Sequence, residues 1–369
     1  MPVSSPIIHA ADYPKCYPTK YWHKLDDGRI QCDLCPRECR LRKGQRGLCY
    51  VRGCKDDEIV LYSYGRSSGF CVDPIEKKPL NHFFPGSPVL SFGTAGCNLA
   101  CKFCQNWDMS KSREMDTLAD AAMPEQLADT ALELGCKSVA FTYNDPVIFL
   151  EYAIDVAKAC RQRNINTVAV SAGYIHDAPR REFFKYMDAA NIDLKAFTES
   201  FYKKICGGEL QNVLETIQYI AHETDVWLEL TTLLIPGEND SDEELNAMTS
   251  WVVDKLGPDI PMHFTAFHPD WKMLNMPVTP TETLARARQI ALNNGVHYAY
   301  TGNVHDNFGG STFCPNCQEM VIERDWYQLG FWGLTAEGCC HNCGNSITGH
   351  FDSRPGDWGV KRVPVRLLR

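Results

Sequence analysis

A chain of 369 residues has room for one large α/β domain and small companions. With 22% charged and 44% hydrophobic residues it has the composition of a globular protein, and a net charge of −9 leaves no global footprint for nucleic acid. No run of about 18 apolar residues occurs, which excludes a long hydrophobic membrane helix.

The first twenty residues lack a basic segment followed by an apolar run, so no secretion leader is expected. Eighteen cysteines in such a chain predict metal ligands in a reducing compartment, hence a cytoplasmic protein, rather than a disulfide framework. Their distribution suggests three regions: a cysteine-rich region over 1–85, a core over 86–308, and a module with a tail over 309–369. "CDLCPRECRLRKGQRGLC" places Cys32, Cys35, Cys39 and Cys49 at C-x2-C-x3-C-x9-C. Four thiolates suit zinc or a cluster, with zinc slightly favoured; a cluster here would relay electrons.

The core alternates strands with helical patterns. "VLSFG" (Val89–Gly93) reads as a strand, and "PEQLADTALELG" as a helix that opens on Pro124 and stops at Gly135. "SVAFT", a helix over about 146–163, "TVAVS", "NIDLKAF", "VWLELTTLL", "MHFTAF" and "VHYAY" continue the series. This rhythm predicts a parallel sheet of βαβ units, closing part-way as a (β/α)6 barrel with its chemistry at the carboxyl ends of the strands.

Directly after the first of these strands comes "GCNLACKFCQNW", with Cys97, Cys101 and Cys104 at C-x3-C-x2-C. Iron–sulfur clusters take thiolate ligands, one per iron in a [4Fe–4S] centre. Three cysteines then leave one iron with an open position, as a catalytic zinc site leaves one for water or substrate. Phe103 is placed to pack beside whatever fills that position.

Near the end, "CPNC" (Cys314, Cys317) and "CHNCG" (Cys340, Cys343) form paired knuckles of the zinc-ribbon kind. Four thiolates would close a tetrahedral structural site. Cys339 is an alternative to Cys340, although the C-x2-C spacing favours Cys340. The basic stretch "VKRVPVRLLR" reads as a solvated tail, and Cys16, Cys54, Cys71, Cys136, Cys160 and Cys206, which lack partner spacing, as buried or incidental thiols.

The C-x3-C-x-aromatic-C loop resembles the hallmark of the radical SAM superfamily. That resemblance implies a [4Fe–4S] cluster on Cys97, Cys101 and Cys104, S-adenosylmethionine on the open iron, and reductive cleavage to a 5′-deoxyadenosyl radical. "TYNDP" stands where the superfamily has a "GGEP"-like segment, so Tyr143, Asn144, Asp145 and Pro146 would hold the amino group of the cofactor. "SAGYI", with Ser171, and "DLK", with Asp193 and Lys195, resemble the glycyl-radical-activating branch, in which the Lys lies near the ribose or carboxylate and the Asp near a cation. "LLIPGEND" would contact adenine, and His268 in "TAFHP" stands at the place of a cofactor-contacting His.

"LCPRECRLRKGQRGLCYVR", "VDPIEKKPLNHFFPGS", "GTAGCNLACKFCQNW", "TYNDPVIFLEYA" and "HFTAFHPDWKM" together resemble the AmmeMemoRadiSam system radical SAM enzymes over about 21–303. Relatedness to pyruvate formate-lyase activating enzymes follows, as do Memo-type and AMMECR-domain partners and an electron donor. Two reactions fit: activation of a glycyl-radical enzyme, or radical modification of another protein or RNA. Glu229, where activases commonly carry Arg, weighs toward the second. A non-catalytic zinc-binding module for protein or RNA would explain the four-cysteine sets but not the three-cysteine loop.

Overall fold

In the computed structural model, which describes residues 16–113, 118 and 120–367, the strand–helix rhythm builds one nine-stranded sheet. Its first eight strands in the chain are β1 (Phe70–Pro74), β2 (Pro88–Phe92), β3 (Ser138–Phe141), β4 (Asn166–Ser171), β5 (Ala189–Asp193), β6 (Trp227–Leu234), β7 (Met262–Ala266) and β8 (Ala299–Gly302). From β2 to β8 they lie side by side in chain order, every pair parallel. Such an order follows when each strand is returned to the same edge by a helical crossover.

The crossovers start and stop where local chemistry dictates. Helix α1 (Pro124–Glu133) opens on Pro124, whose missing N–H costs nothing in the first turn, and is closed by Gly135 at φ +67°. Asp145 accepts from the Val147 N–H and so caps a single tight turn, Pro146–Phe149, that leads into α2 (Leu150–Arg161). Helices α3 (Asp177–Phe184), α4 (Leu210–Glu223), α5 (Asp242–Leu256) and α6 (Thr281–Asn293) complete the set. Ser241 caps α5, and three acids in its first turn face the positive end of the helix. Strand β3 is buried along its whole length, as a strand covered on both faces requires.

Two strand ends differ from expectation. Strand β5 stops at Asp193, so Lys195 lies just beyond it. Strand β8 begins at Ala299, three residues later than "VHYAY" suggested, because Val296 and Tyr298 are already buried on its approach.

The cysteine-rich region is not separate from the sheet's core: Ile30, Leu41, Val51 and Ile59 belong to the same continuous apolar cluster as the sheet and helices. Arg52, fully buried, donates to the Ile148 carbonyl at 2.8 Å and pairs with Glu151 of α2. The C-terminal module packs Val321, Ile322, Leu334 and Ile347 into a second small core with Tyr298 and Tyr300 of the sheet region, around strands β9 (Thr312–Phe313), β10 (Met320–Asp325) and β11 (Gln328–Trp332). Buried Arg324 ties it to the Asn81 carbonyl at 2.7 Å, and the ring of His82 meets the Thr348 carbonyl at 2.6 Å.

The basic end of the chain is not simply a solvated tail. Val363–Val365 form β12, which pairs antiparallel with β1 at the sheet edge, where Pro364 needs no ladder N–H. The side chains stay largely exposed, so no burial pattern announces the strand.

Candidate functional site

The carboxyl ends of the parallel strands open onto a cavity of about 450 Å³, a size suited to a small-molecule ligand. Ser171 of β4, Asp193 of β5, Thr231 and Leu233 of β6 and Thr265 of β7 line it. The three-cysteine loop leaves β2 and lines the same cavity with Cys97, Cys101, Phe103 and Cys104.

Distant elements hold this loop open. Gly96 has φ +86°, and a Cβ there would lie 1.9 Å from the Cys49 carbonyl oxygen, so only glycine allows the N-terminal region to pack this closely. Asn144 accepts from the Thr94 N–H at 3.1 Å and donates to the Gly96 carbonyl at 2.8 Å. The Ala100 and Lys102 N–H groups donate to the carbonyls of Cys206 and Ile205 at 2.8 and 3.0 Å.

The thiols are individually supported. Cys97 accepts from the Leu99 N–H at 3.5 Å, and Cys104 lies 3.0 Å from the Ser110 hydroxyl. The Cys101 thiol is drawn down to about 6 by a hydrogen bond from Cys206, with Lys195 and Lys111 assisting against burial. Burial, followed by the charge of Asp145, pushes Cys97 up to about 12.

Most expected cofactor-contacting residues converge here. Tyr143, Asn144, Asp145, Ser171, Asp193 and Lys195 all line the cavity with Phe103. The side chains of Asn144 and Asp145 are already engaged: Asp145 accepts from Ser171 Oγ and the Ala172 N–H, each at 3.0 Å. Their remaining offer to a ligand is backbone carbonyls and residual lone pairs. Tyr143, at φ +72°, donates its hydroxyl to Asp73 at 2.6 Å. Lys195 Nζ lies 2.8 Å from Asp193 and 5.8 Å from the centre of the Phe103 ring. From "LLIPGEND", Leu233 lines the cavity, while Asn239 donates to the Lys195 carbonyl at 2.7 Å and so positions that backbone.

Pro146 is buried and starts the capped turn without lining the cavity, and His268 is exposed and lies off its lining. Glu229, on β6 itself, is fully buried and accepts from His263 at 2.6 Å and from the N–H groups of Asn81 and His82.

Several residues that line or support the site were not singled out from the sequence. Cys206, read as a buried or incidental thiol, supports the loop: its carbonyl accepts from the Ala100 N–H at 2.8 Å, and its thiol acts electrostatically on that of Cys101. Its wide turn, Tyr202–Cys206, closes on Gly207 at φ +67°, and widened turns of this kind recur at functional sites. Lys111 lines the cavity and donates to the Leu99 carbonyl at 2.8 Å. Asp73 accepts from Lys78, Lys77 and Tyr143 at the rim; burial brings Lys78 down to about 8 despite that partner.

At the far end, the sulfurs of Cys314, Cys317, Cys340 and Cys343 all lie within 4.8 Å of one another. Cys340, not Cys339, completes the group. Cys314–Cys343 and Cys317–Cys340 are 3.6 and 3.7 Å apart, close to the roughly 3.8 Å edge of a tetrahedron with 2.3 Å zinc–sulfur arms. The set therefore fits a metal-binding module.

An α/β protein with a parallel sheet, a cysteine-lined cavity at its strand ends and a distal metal-binding set is the class these features define. The family model described as the Radical SAM superfamily matches residues 92–248. A protein of Methanocaldococcus jannaschii, itself named only as uncharacterized, is 37% identical over 328 residues, covering 89% of this chain and 97% of its own. The pyruvate formate-lyase-activating enzyme of Clostridium pasteurianum is 25% identical, over 42% of this chain and 65% of that one. The GTP 3′,8-cyclase of Lactiplantibacillus plantarum is 26% identical, over 63% and 75%. The chain belongs to the radical SAM superfamily, and the activating enzyme and the cyclase among the relatives above are enzymes. Among the described residues no helix is long and apolar enough to cross a membrane.

Proposed function

We propose that this chain is a radical SAM enzyme that binds a [4Fe–4S] cluster through Cys97, Cys101 and Cys104, binds S-adenosylmethionine in the adjoining cavity, and acts on a protein or other macromolecule. The observation that carries this reading is the convergence of three supported thiols with Lys195, Asp193 and the 143–145 turn on one cavity. The donor set suits the group: three thiols line the cavity together, and Lys195 and Lys111, which line it as well, would offset the negative charge that thiolates bring. Bound there, cluster and sulfonium cofactor would supply one-electron cleavage to a 5′-deoxyadenosyl radical.

The chain's own residues do the rest. Asn144 and Gly96 fix the loop, Phe103 and Leu233 give the cavity apolar surface, and Lys195 is held by Asp193 to meet a carboxylate or ribose. The sequential strand order supports a partial barrel around this site. The sulfur spacing of the C-terminal set supports structural zinc in a ribbon-like module. The AmmeMemoRadiSam assignment rests on the five quoted motifs, and with it the Memo-type and AMMECR-domain partners and an electron donor. All 18 cysteines are unpaired by disulfides, which supports a reducing compartment such as the cytoplasm.

The test is anaerobic purification and rebuilding with iron and sulfide, then assay for 5′-deoxyadenosine from S-adenosylmethionine under a low-potential reductant. Product from the wild-type chain and none from Cys101→Ala is expected; equal product from both overturns the reading. Activating enzymes among the relatives favour a second reading, glycyl-radical formation in a partner. A glycyl electron-spin signal in a partner after turnover would establish it, and a new covalent mass on the partner would establish modification instead.

A further inference from the structure

We propose that Cys32, Cys35, Cys39 and Cys49 hold an iron–sulfur cluster, a second centre lying against the three-cysteine loop, rather than a zinc ion. The inference stands on the N-terminal region's own geometry and does not depend on the loop's chemistry.

Sulfur spacing argues first. One zinc ion draws four thiolates to about 3.8 Å from one another, and the C-terminal set meets that condition. Among the described residues, the N-terminal four do not reach the mutual 4.8 Å that the C-terminal four achieve. They nevertheless line one cavity, together with Arg52. A group of four thiols that share a cavity yet stand apart fits several bridged irons, each taking its own thiolate, better than one central ion.

One of the sulfurs has a donor in place: Cys39 accepts from the Leu48 N–H at 3.5 Å. Buried Arg52 adds its charge near Cys32 and Cys49. Hydrogen bonds and nearby positive charge on the sulfurs stabilise an anionic cluster and set its potential. Leu34, Leu41 and Ile148 give the cavity apolar walls, and Cys32, Cys35 and Cys49 are buried, which shelters an oxygen-sensitive centre.

The placement gives the site a purpose. Asn98, within the three-cysteine loop, lines this cavity as well, and the Cys49 carbonyl abuts Gly96 beside Cys97.

The test uses the full chain with Cys97, Cys101 and Cys104 all changed to Ala, rebuilt anaerobically with iron and sulfide. It is expected to retain at least about two irons with matching sulfide and a visible charge-transfer absorption, beside about one zinc from the C-terminal set. About two zinc ions per chain, iron without sulfide, or no metal beyond the C-terminal zinc overturns the proposal. Should that variant not fold, the wild-type chain decides through the same assay. More iron and sulfide than one four-iron centre supplies, reduced in Cys32→Ser/Cys35→Ser with zinc unchanged, upholds it; iron for one centre and about two zinc ions overturns it. Failure of the wild-type chain to cleave S-adenosylmethionine while these irons remain would sink the proposed function and leave this site standing.

Discussion

The C-terminal quartet and the three-cysteine loop use the same ligand atom and are built in opposite ways. In the quartet the sulfurs meet one another, from two knuckles whose turns are local: the Gln318 and Gly344 N–H groups close back on the carbonyls of Cys314 and Cys340 at 2.9 Å. In the loop, restraint comes from afar: Asn144 beyond β3, Cys206 beyond β5, and Cys49 from the N-terminal region. With the metal proposed for it, a closed set would be a structural rivet whose metal is part of its fold. An open set needs a scaffold to hold it apart, and the parallel sheet is that scaffold.

The largest effect should come from breaking the rivet. The module's core is small and is completed by Tyr298 and Tyr300 of the sheet region, and a structural zinc of the kind proposed here contributes folding free energy of about 10 kcal/mol or more in comparable small sites. Cys317→Ala, or chelation of the wild-type chain, is expected to abolish amide-exchange protection across β9 to β11 while α2 and β3 stay protected. Uniform loss of protection through the sheet would show that the two regions fold as one, and the comparison would fail.

Next is the joint between them. His82 is fully buried, with its ring between the Thr348 carbonyl and the Tyr300 hydroxyl, and burial lowers its pKa to about 4, partly opposed by Glu229. Because the folded value lies below the unfolded one of about 6.5, the unfolded chain takes up the proton first. Stability contributed by neutral His82 is therefore complete above about pH 6.5 and is lost as pH falls toward 4, by roughly 3 kcal/mol. Urea midpoints at several pH values should fall along that window in the wild-type chain and fall less steeply in His82→Asn. Parallel slopes would remove His82 from the joint.

How much of this could be read from the sequence follows from the same contrast. The quartet was legible because its ligands lie in two short motifs, and the choice of Cys340 over Cys339 followed from spacing alone. The strands β2 to β7 were legible because Pro and Gly punctuate them and their buried faces leave apolar runs. Strands β1 and β12 were not read: β1 lies outside the βαβ rhythm, and β12 leaves its side chains largely exposed. The loop's cysteines were legible, but not their supports. Cys206 and Cys101 are remote in the chain, and no local spacing joins them. His268 illustrates the converse: the resemblance alone singled it out, and its exposed side chain lies off the cavity lining.

A smaller effect should follow from loosening the scaffold while keeping every ligand. Asn144→Ala removes the bonds to Thr94 and Gly96, each worth about 1 kcal/mol, with more lost where a buried partner is left unpaired. Destabilisation of about 2–3 kcal/mol is expected, together with lower iron content on rebuilding and unchanged zinc. If iron loading is unaffected, the loop holds its shape without the sheet.

The smallest and most selective change is at Cys206. Cys206→Ala deletes one hydrogen bond to the Cys101 sulfur and little else, since Lys195 and Lys111 remain. A single bond to a charged sulfur corresponds to about 1–2 kcal/mol, so S-adenosylmethionine cleavage should slow by roughly tenfold with iron content preserved. Cys206→Ser, which keeps a donor, should recover most of that loss, and the reduced cluster's electron-spin spectrum should shift in the Ala variant and return toward wild type in the Ser variant. A merely structural cysteine would alter folding midpoints in both variants and leave the spectrum where it was. If Ala and Ser behave alike in rate and spectrum, the loop's thiolates are tuned by Lys195 and Lys111 alone, and the remote support that separates the open set from the closed one reduces to holding the backbone.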